Sequence, residues 1–142
     1  MKIFMVAVAF LAIGFVLGKL TQSKQLFAAQ RQLTLADCVS TLDPAKVQKN
    51  SRGWAFWFVK KELTGGVNVK MSQVGPRLAS HAAHQHEEAE VFYILQGTAE
   101  LTLADESVAA GPNSTLYCPP GALHGIRNAG DDSLRYLVIK DN

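Results

Sequence analysis

Four histidines occur in this 142-residue chain, and all of them fall within two short segments. His81, His84 and His86 lie together and are followed by Glu90 and Gly97; His124 stands apart, between Pro119-Pro120-Gly121 and Asn128. Three imidazoles and one carboxylate suit a divalent ion in a site that keeps coordination positions open. Such an ion can bind and polarise a small molecule.

Strand geometry decides which side chains could meet. Successive strand residues point to opposite faces, so His84 and His86 point the same way. Glu90 keeps that parity, and a short turn after His86 would return it toward the same point. Glu87 has the wrong parity; Glu88 has the right one but sits in the expected turn, where the Glu87-Glu88 pair reads as a solvated acidic corner. The fourth ligand must come from a distant segment, and His124 is the remaining histidine that can supply it. Pro119-Pro120-Gly121 forces a bend that would aim the following strand back at the site. Gly97, between two alternating apolar runs, reads as a hairpin turn that needs a permissive backbone.

These residues resemble the two motifs of the cupin superfamily. The first motif ends H-x-H-x3-E-x6-G, matched by His84, His86, Glu90 and Gly97; the second ends P-x-G-x2-H-x3-N, matched by Pro119, Gly121, His124 and Asn128. The resemblance covers Val67 to Ile139. Two glycines depart from the family spacing: Gly75 lies nine residues before His84 where six is usual, and Gly111 lies two residues further from Pro119 than usual. Both differences fall in turns, where insertions are tolerated. The resemblance implies an all-β fold, a cupin-type jelly-roll barrel, with His84, His86, Glu90 and His124 holding one divalent metal ion. Iron leads the expected identities, with manganese, nickel, zinc and cobalt as the others. Iron(II) would support oxygenation, and the rest would act as Lewis acids in isomerase, lyase or hydrolytic chemistry. Fold does not fix function, so a non-catalytic cupin that binds or senses a small ligand is the alternative.

The elements that must position these ligands are legible from punctuation. Strands are expected at Trp54–Val59, Val67–Val74, Glu90–Leu95, Glu100–Leu103, Thr115–Cys118 and Leu134–Ile139, with turns at Gly65-Gly66, Gly75-Pro76, Gly97, Gly111-Pro112, Pro120-Gly121 and Gly130-Asp131. Short strands separated by Gly and Pro read as a barrel or jelly roll. The barrel domain is placed at 53–142 because charge changes there: residues 1–52 hold seven Lys/Arg against two Asp/Glu, and residues 53–142 hold seven against ten. At 48% apolar residues and a net charge of +2, nothing suggests a nucleic-acid partner.

The N-terminus reads as a separate device. Residues 3–18 carry no charge and lie between Lys2 and Lys19; as a helix they would span about 24 Å. Residues 1–20 are therefore expected to be a hydrophobic helix serving as a signal anchor or a cleaved signal peptide, with a buried core helix as the remaining alternative. The domain is then membrane-anchored or exported, on the periplasmic or extracellular side. Lysines after the segment argue against export by the positive-inside rule, but short apolar N-termini are most often export signals. Residues 21–52 read as a polar spacer, helical or loose, with Asp43-Pro44 starting a turn or helix.

Other features have structural readings. Cys118 beside Pro119 is expected to be a small buried residue rather than a disulfide partner of Cys38. Trp54, Phe56, Trp57 and Phe58 read as barrel core plus a homodimer surface, with ligand stacking as the alternative. Tyr93 and Tyr117 are candidates for the pocket wall, and His81 for a loop position at its mouth or a supporting role to the ligands. Asn128 is expected to fix a turn. No nucleophile elbow or phosphate-cradling glycine loop occurs, so the partner expected is a small-molecule ligand or substrate.

Overall fold

The computed structural model describes residues 32–141. The apolar segment at 3–18 lies outside the described residues. Two units divide between Val39 and Ser40. In the first, the described part is a one-turn helix, Leu35–Cys38, closed by a capping box in which the Asp37 N–H donates to the Thr34 hydroxyl and the Thr34 N–H donates to the Asp37 carboxylate. Among the described residues no helix is long and apolar enough to cross a membrane.

The second unit is built from strands: β1 (Gln48–Asn50), β2 (Gly53–Val59), β3 (Val67–Val74), β4 (Glu90–Gln96), β5 (Ala99–Leu103), β6 (Glu106–Ala110), β7 (Thr115–Cys118), β8 (His124–Asn128) and β9 (Leu134–Asp141). They form a six-stranded sheet in the order β1-β2-β3-β9-β4-β7 and a three-stranded sheet in the order β6-β5-β8. All the pairings are antiparallel. β9 is the spine of the larger sheet, pairing with β3 on one side and β4 on the other. The expected all-β barrel is thus present, and each of the six expected strands is found within two residues of its expected bounds.

Parity assigns the faces. Val74, Phe92, Ile94, Cys118, Leu134, Tyr136 and Val138 from the larger sheet meet Ala99, Leu101 and Ile126 from the smaller one in a single buried cluster. Ile94, Ala99, Leu134 and Cys118 are fully shielded from solvent. This apolar burial is the main favourable term holding the two sheets together.

β1 and β6 were not expected, and β8 was expected as the strand that follows the Pro119-Pro120-Gly121 bend, without bounds. β1 precedes Gly53, inside the region read as spacer, and pairs with β2. It is exposed along its whole length, so it has no alternation to read; it is a polar edge strand recruited by its neighbour. β6 is equally exposed at four of its five residues. β8 is inward-facing and carries His124 itself. Upstream of β1, Asp43 caps a 3₁₀ turn at Pro44–Lys46, with its carboxylate accepting from the Ala45 N–H at 2.9 Å, as the Asp-Pro pair suggested.

The turns behave as their residues require. Gly97 joins β4 to β5 at φ +86°, and a Cβ there would sit 2.7 Å from the Ser133 carbonyl oxygen, so both conformation and space demand glycine. Asn128 is fully buried, and its amide donates to the carbonyls of Gly75 at 2.8 Å and Asp132 at 2.7 Å while its oxygen accepts from the Gly130 N–H. It stitches the ends of β3 and β8 to the turn that leads into β9. Both cysteines are free thiols, with Cys118 buried and Cys38 exposed.

Candidate metal centre

Glu90 is the first residue of β4, and His124 the first of β8. His84 and His86 come from the extended segment leading into β4, which is tied to β8 by a single antiparallel bridge between His84 and His124. The Gly121 N–H donates to the His86 carbonyl at 2.8 Å, so the Pro119-Pro120-Gly121 bend is pinned to the ligand segment. Gly121 adopts φ +74°, the left-handed conformation that lets the chain reverse there.

His84, His86, Glu90 and His124 offer donor atoms that all lie within 4.8 Å of one another. Glu90 Oε2 is 3.0 Å from His124 Nε2 and 3.6 Å from His86 Nε2. His86 Nδ1 lies 2.8 Å from the Glu88 carbonyl and His124 Nδ1 lies 2.8 Å from the Ala122 carbonyl. Carbonyls only accept, so each Nδ1 carries the proton and each Nε2 is turned to the shared centre: that of His86 presents a lone pair, and that of His124 would present one to a cation in place of the proton it shares with Glu90. Two buried ring nitrogens, His84 Nδ1 and His86 Nε2, have no hydrogen-bond partner. Buried polar atoms are seldom left so, and a coordinated cation would satisfy both. Burial first, then the neighbouring imidazoles of His81 and His124, hold His84 below its ordinary 6.5, against the pull of Glu90. The neutral form that a metal requires is therefore favoured.

The four expected ligands are thus brought together. Glu88 is not among them: its side chain pairs with Lys140 at 3.4 Å, and its carbonyl orients His86. His81 is exposed, packs edge-on against His84 with ring centroids 4.5 Å apart, and lines the cavity mouth. Tyr93 and Tyr117 do not line the cavity. Tyr93 donates to Asn113 on the surface and Tyr117 is 58% exposed, because their parity in β4 and β7 is opposite to that of Glu90 and Cys118. Of the aromatic run, Trp57 is on the cavity wall.

A cavity of about 500 Å³ opens onto the centre, lined by His81, His84, His86 and Glu90 on one side and by Trp57, Asn68 and lysines on the other. Lys70 was not singled out by the sequence motifs. It projects from β3 into this space, its Nζ 5.1 Å from the centroid of the Trp57 ring. Burial lowers its ammonium from the ordinary 10.5, opposed by Glu90 and reinforced by Lys140.

A small β-barrel brings three histidines and one glutamate together beside an open cavity, an arrangement that would suit one metal ion. Residues 71–140 match the family model for the Cupin domain. Mannose-1-phosphate guanylyltransferase RfbM of Salmonella typhimurium is 23% identical over 108 residues, 75% of this chain and 22% of that protein. The 5-nitrosalicylic acid 1,2-dioxygenase of a Bradyrhizobium species is 32% identical over 57 residues, 39% of this chain and 28% of the relative. The chain therefore spans less than a third of either. Among solved structures, a predicted oxalate decarboxylase from Thermotoga maritima superposes with a TM-score of 0.58 at 22% identity, covering 62% of this chain and 78% of that one; that likeness is one of fold.

Proposed function

We propose that this protein is a metal-dependent cupin that transforms a small molecule at one divalent ion held by His84, His86, Glu90 and His124. The observation that carries this reading is the pair of buried, unpartnered ring nitrogens within a four-residue cluster whose donor atoms lie within 4.8 Å of one another. Iron is the first expectation for this mixed imidazole–carboxylate set, with manganese, nickel, zinc or cobalt as the others. When bound, the ion supplies Lewis acidity or, as iron(II), a place for dioxygen, which fits an oxygenase, isomerase or lyase. The chain's own residues do the rest: the Glu88 and Ala122 carbonyls hold two imidazoles in the ligating tautomer, Phe92 packs beside His124 with ring centroids 6.1 Å apart, Val138 lines the cavity, and the cavity admits the reactant. The dioxygenase relative supports the catalytic reading. We also propose that residues 1–20 anchor or export the domain to the periplasmic or extracellular side, and that two copies pair as a homodimer.

Elemental analysis of full-length protein from native-like expression, followed by turnover and oxygen-uptake assays with that metal, tests the proposal. One equivalent of metal with turnover supports it. Full metal occupancy without turnover of any substrate class would favour a ligand-binding cupin, and absence of bound metal overturns both. Light scattering on the same sample reads the dimer.

A further inference from the structure

We propose that the molecule bound beside this centre is a small organic anion, and that Lys70 seats its negatively charged group; the inference deepens the metal-dependent reading and rests on the same cavity. Lys70 shares its face of β3 with Ser72 and Val74, which are 4% and 2% exposed, so the side chain starts from the inward face of the sheet. Its cross-strand neighbours are Trp57 on β2 and Val138 on β9. An inward lysine is expensive unless a carboxylate pairs with it. Among the described residues none lies within 4.0 Å of its Nζ, and the Trp57 face is the contact it makes. A cation–π contact of that kind offsets part of the cost of dehydration, not all of it.

The rest of the wall points the same way. Lys60, Lys61, Lys70 and Lys140 line the cavity against two carboxylates, Glu62 and Glu90. Glu90 is committed to His124, and Lys140 is already held by Glu88. A divalent ion at the centre would add further positive charge. A concave wall with an excess of positive charge concentrates counter-charged solutes, so an anionic reactant is favoured over a neutral or cationic one. No arginine lines the space, so the anionic group meets point charges rather than a planar fork. Trp57 supplies a flat apolar surface beside the cation, suited to the body of a compact acid.

The test is calorimetric titration of the full chain, metal-loaded and metal-free, with malonate, succinate and salicylate and with their uncharged amides as matched probes. Metal content is measured on every sample. The acids should bind, at least one of them about tenfold more tightly than its amide, and Lys70→Met should weaken that acid about tenfold or more, as expected for loss of a charge-assisted contact. Lys70→Arg should restore most of the preference. Equal affinity for acid and amide, no binding of any of the three acids, or acid binding that needs the ion but ignores Lys70→Met would each overturn the proposal. If Lys70→Met does not fold, Lys70→Gln replaces it, and wild-type acid affinity that fails to drop with added salt overturns the proposal independently. A wild-type protein that holds no metal overturns the proposed function instead, while the metal-free titrations still decide the role of Lys70.

Discussion

The His84 N–H donates to the His124 carbonyl at 2.9 Å, and the His124 N–H returns the bond to the His84 carbonyl at 2.8 Å. Residues directly opposite in an antiparallel pair project to the same face, so this reciprocal link aims both imidazoles into one space, ring centroids 4.7 Å apart. Two segments forty residues apart in the chain thereby present their imidazoles to one space.

Alanine at any one of His84, His86, Glu90 or His124 should lower metal affinity by more than the roughly 10–100-fold typical of losing a residue that merely supports a ligand. Metal stoichiometry of the four single variants after dialysis against a weak chelator checks this. A full equivalent retained by His124→Ala would remove the distant ligand from the assignment.

Gly97→Ala and Gly121→Ala should separate conformation from crowding. Both force a side chain into the left-handed region, which costs about 1–2 kcal/mol. At Gly121 the added Cβ meets open space, whereas at Gly97 it meets the Ser133 carbonyl at 2.7 Å. Urea denaturation should show the larger loss for Gly97→Ala. The bulkier Gly121→Val is expected to displace the bend bonded to His86 and to lose metal as well. Equal midpoints for the two alanine variants would refute the crowding argument.

Cys118 is fully buried, and burial, with Glu90 adding to it, pushes its thiol up from the ordinary 9.0 to about 12. The unfolded chain then gives up this proton first as pH rises. The sign follows from linkage: stability from this group is complete below pH 9.0 and is lost progressively between 9.0 and about 12. Cys118→Ala should flatten the alkaline limb of a stability–pH curve. At neutral pH a thiol reagent should label Cys38 in the folded protein and reach Cys118 only on unfolding, and rapid labelling of both would count against the burial.

Removing residues 1–30 should leave a soluble domain that still binds one equivalent of metal. In the full chain, a C-terminal reporter active only outside the cytoplasm should be on. If that reporter is silent while a cytoplasmic one is active, the orientation is the reverse. Mass spectrometry of the native N-terminus distinguishes an intact anchor, starting at Met1, from a cleaved signal.

The clustering of these four side chains was legible because its information is local and chemical. His84, His86 and Glu90 share parity, and His124 was the histidine left to complete the set. The strands with alternating or punctuated sequence, such as Val67–Val74 and Glu90–Gln96, were equally readable. β1 and β6 were not, since an exposed edge strand such as Gln48–Asn50 takes its conformation from the neighbour it pairs with and not from a pattern of its own. Lys70 was hidden for a different reason. Its inward direction follows from sharing parity with Ser72 and Val74, but which face of β3 is the interior emerges only from pairing with β9. Trp57 shows the same limit: an aromatic run says that apolar surface is buried somewhere, not which ring borders a cavity.

The carbonyls that orient His86 and His124 belong to the main chain of Glu88 and Ala122. A main-chain acceptor survives any side-chain replacement that keeps the local path. The proton positions on these two imidazoles are thus inherited from backbone trace rather than from residue identity, and position 122 is free to drift in sequence without disturbing the centre. Length is where tolerance ends. One residue inserted between Gly121 and His124, or between His86 and Glu90, would shift a carbonyl away from its ring and turn a lone pair out of the site, so this centre should be robust to substitution and brittle to insertion.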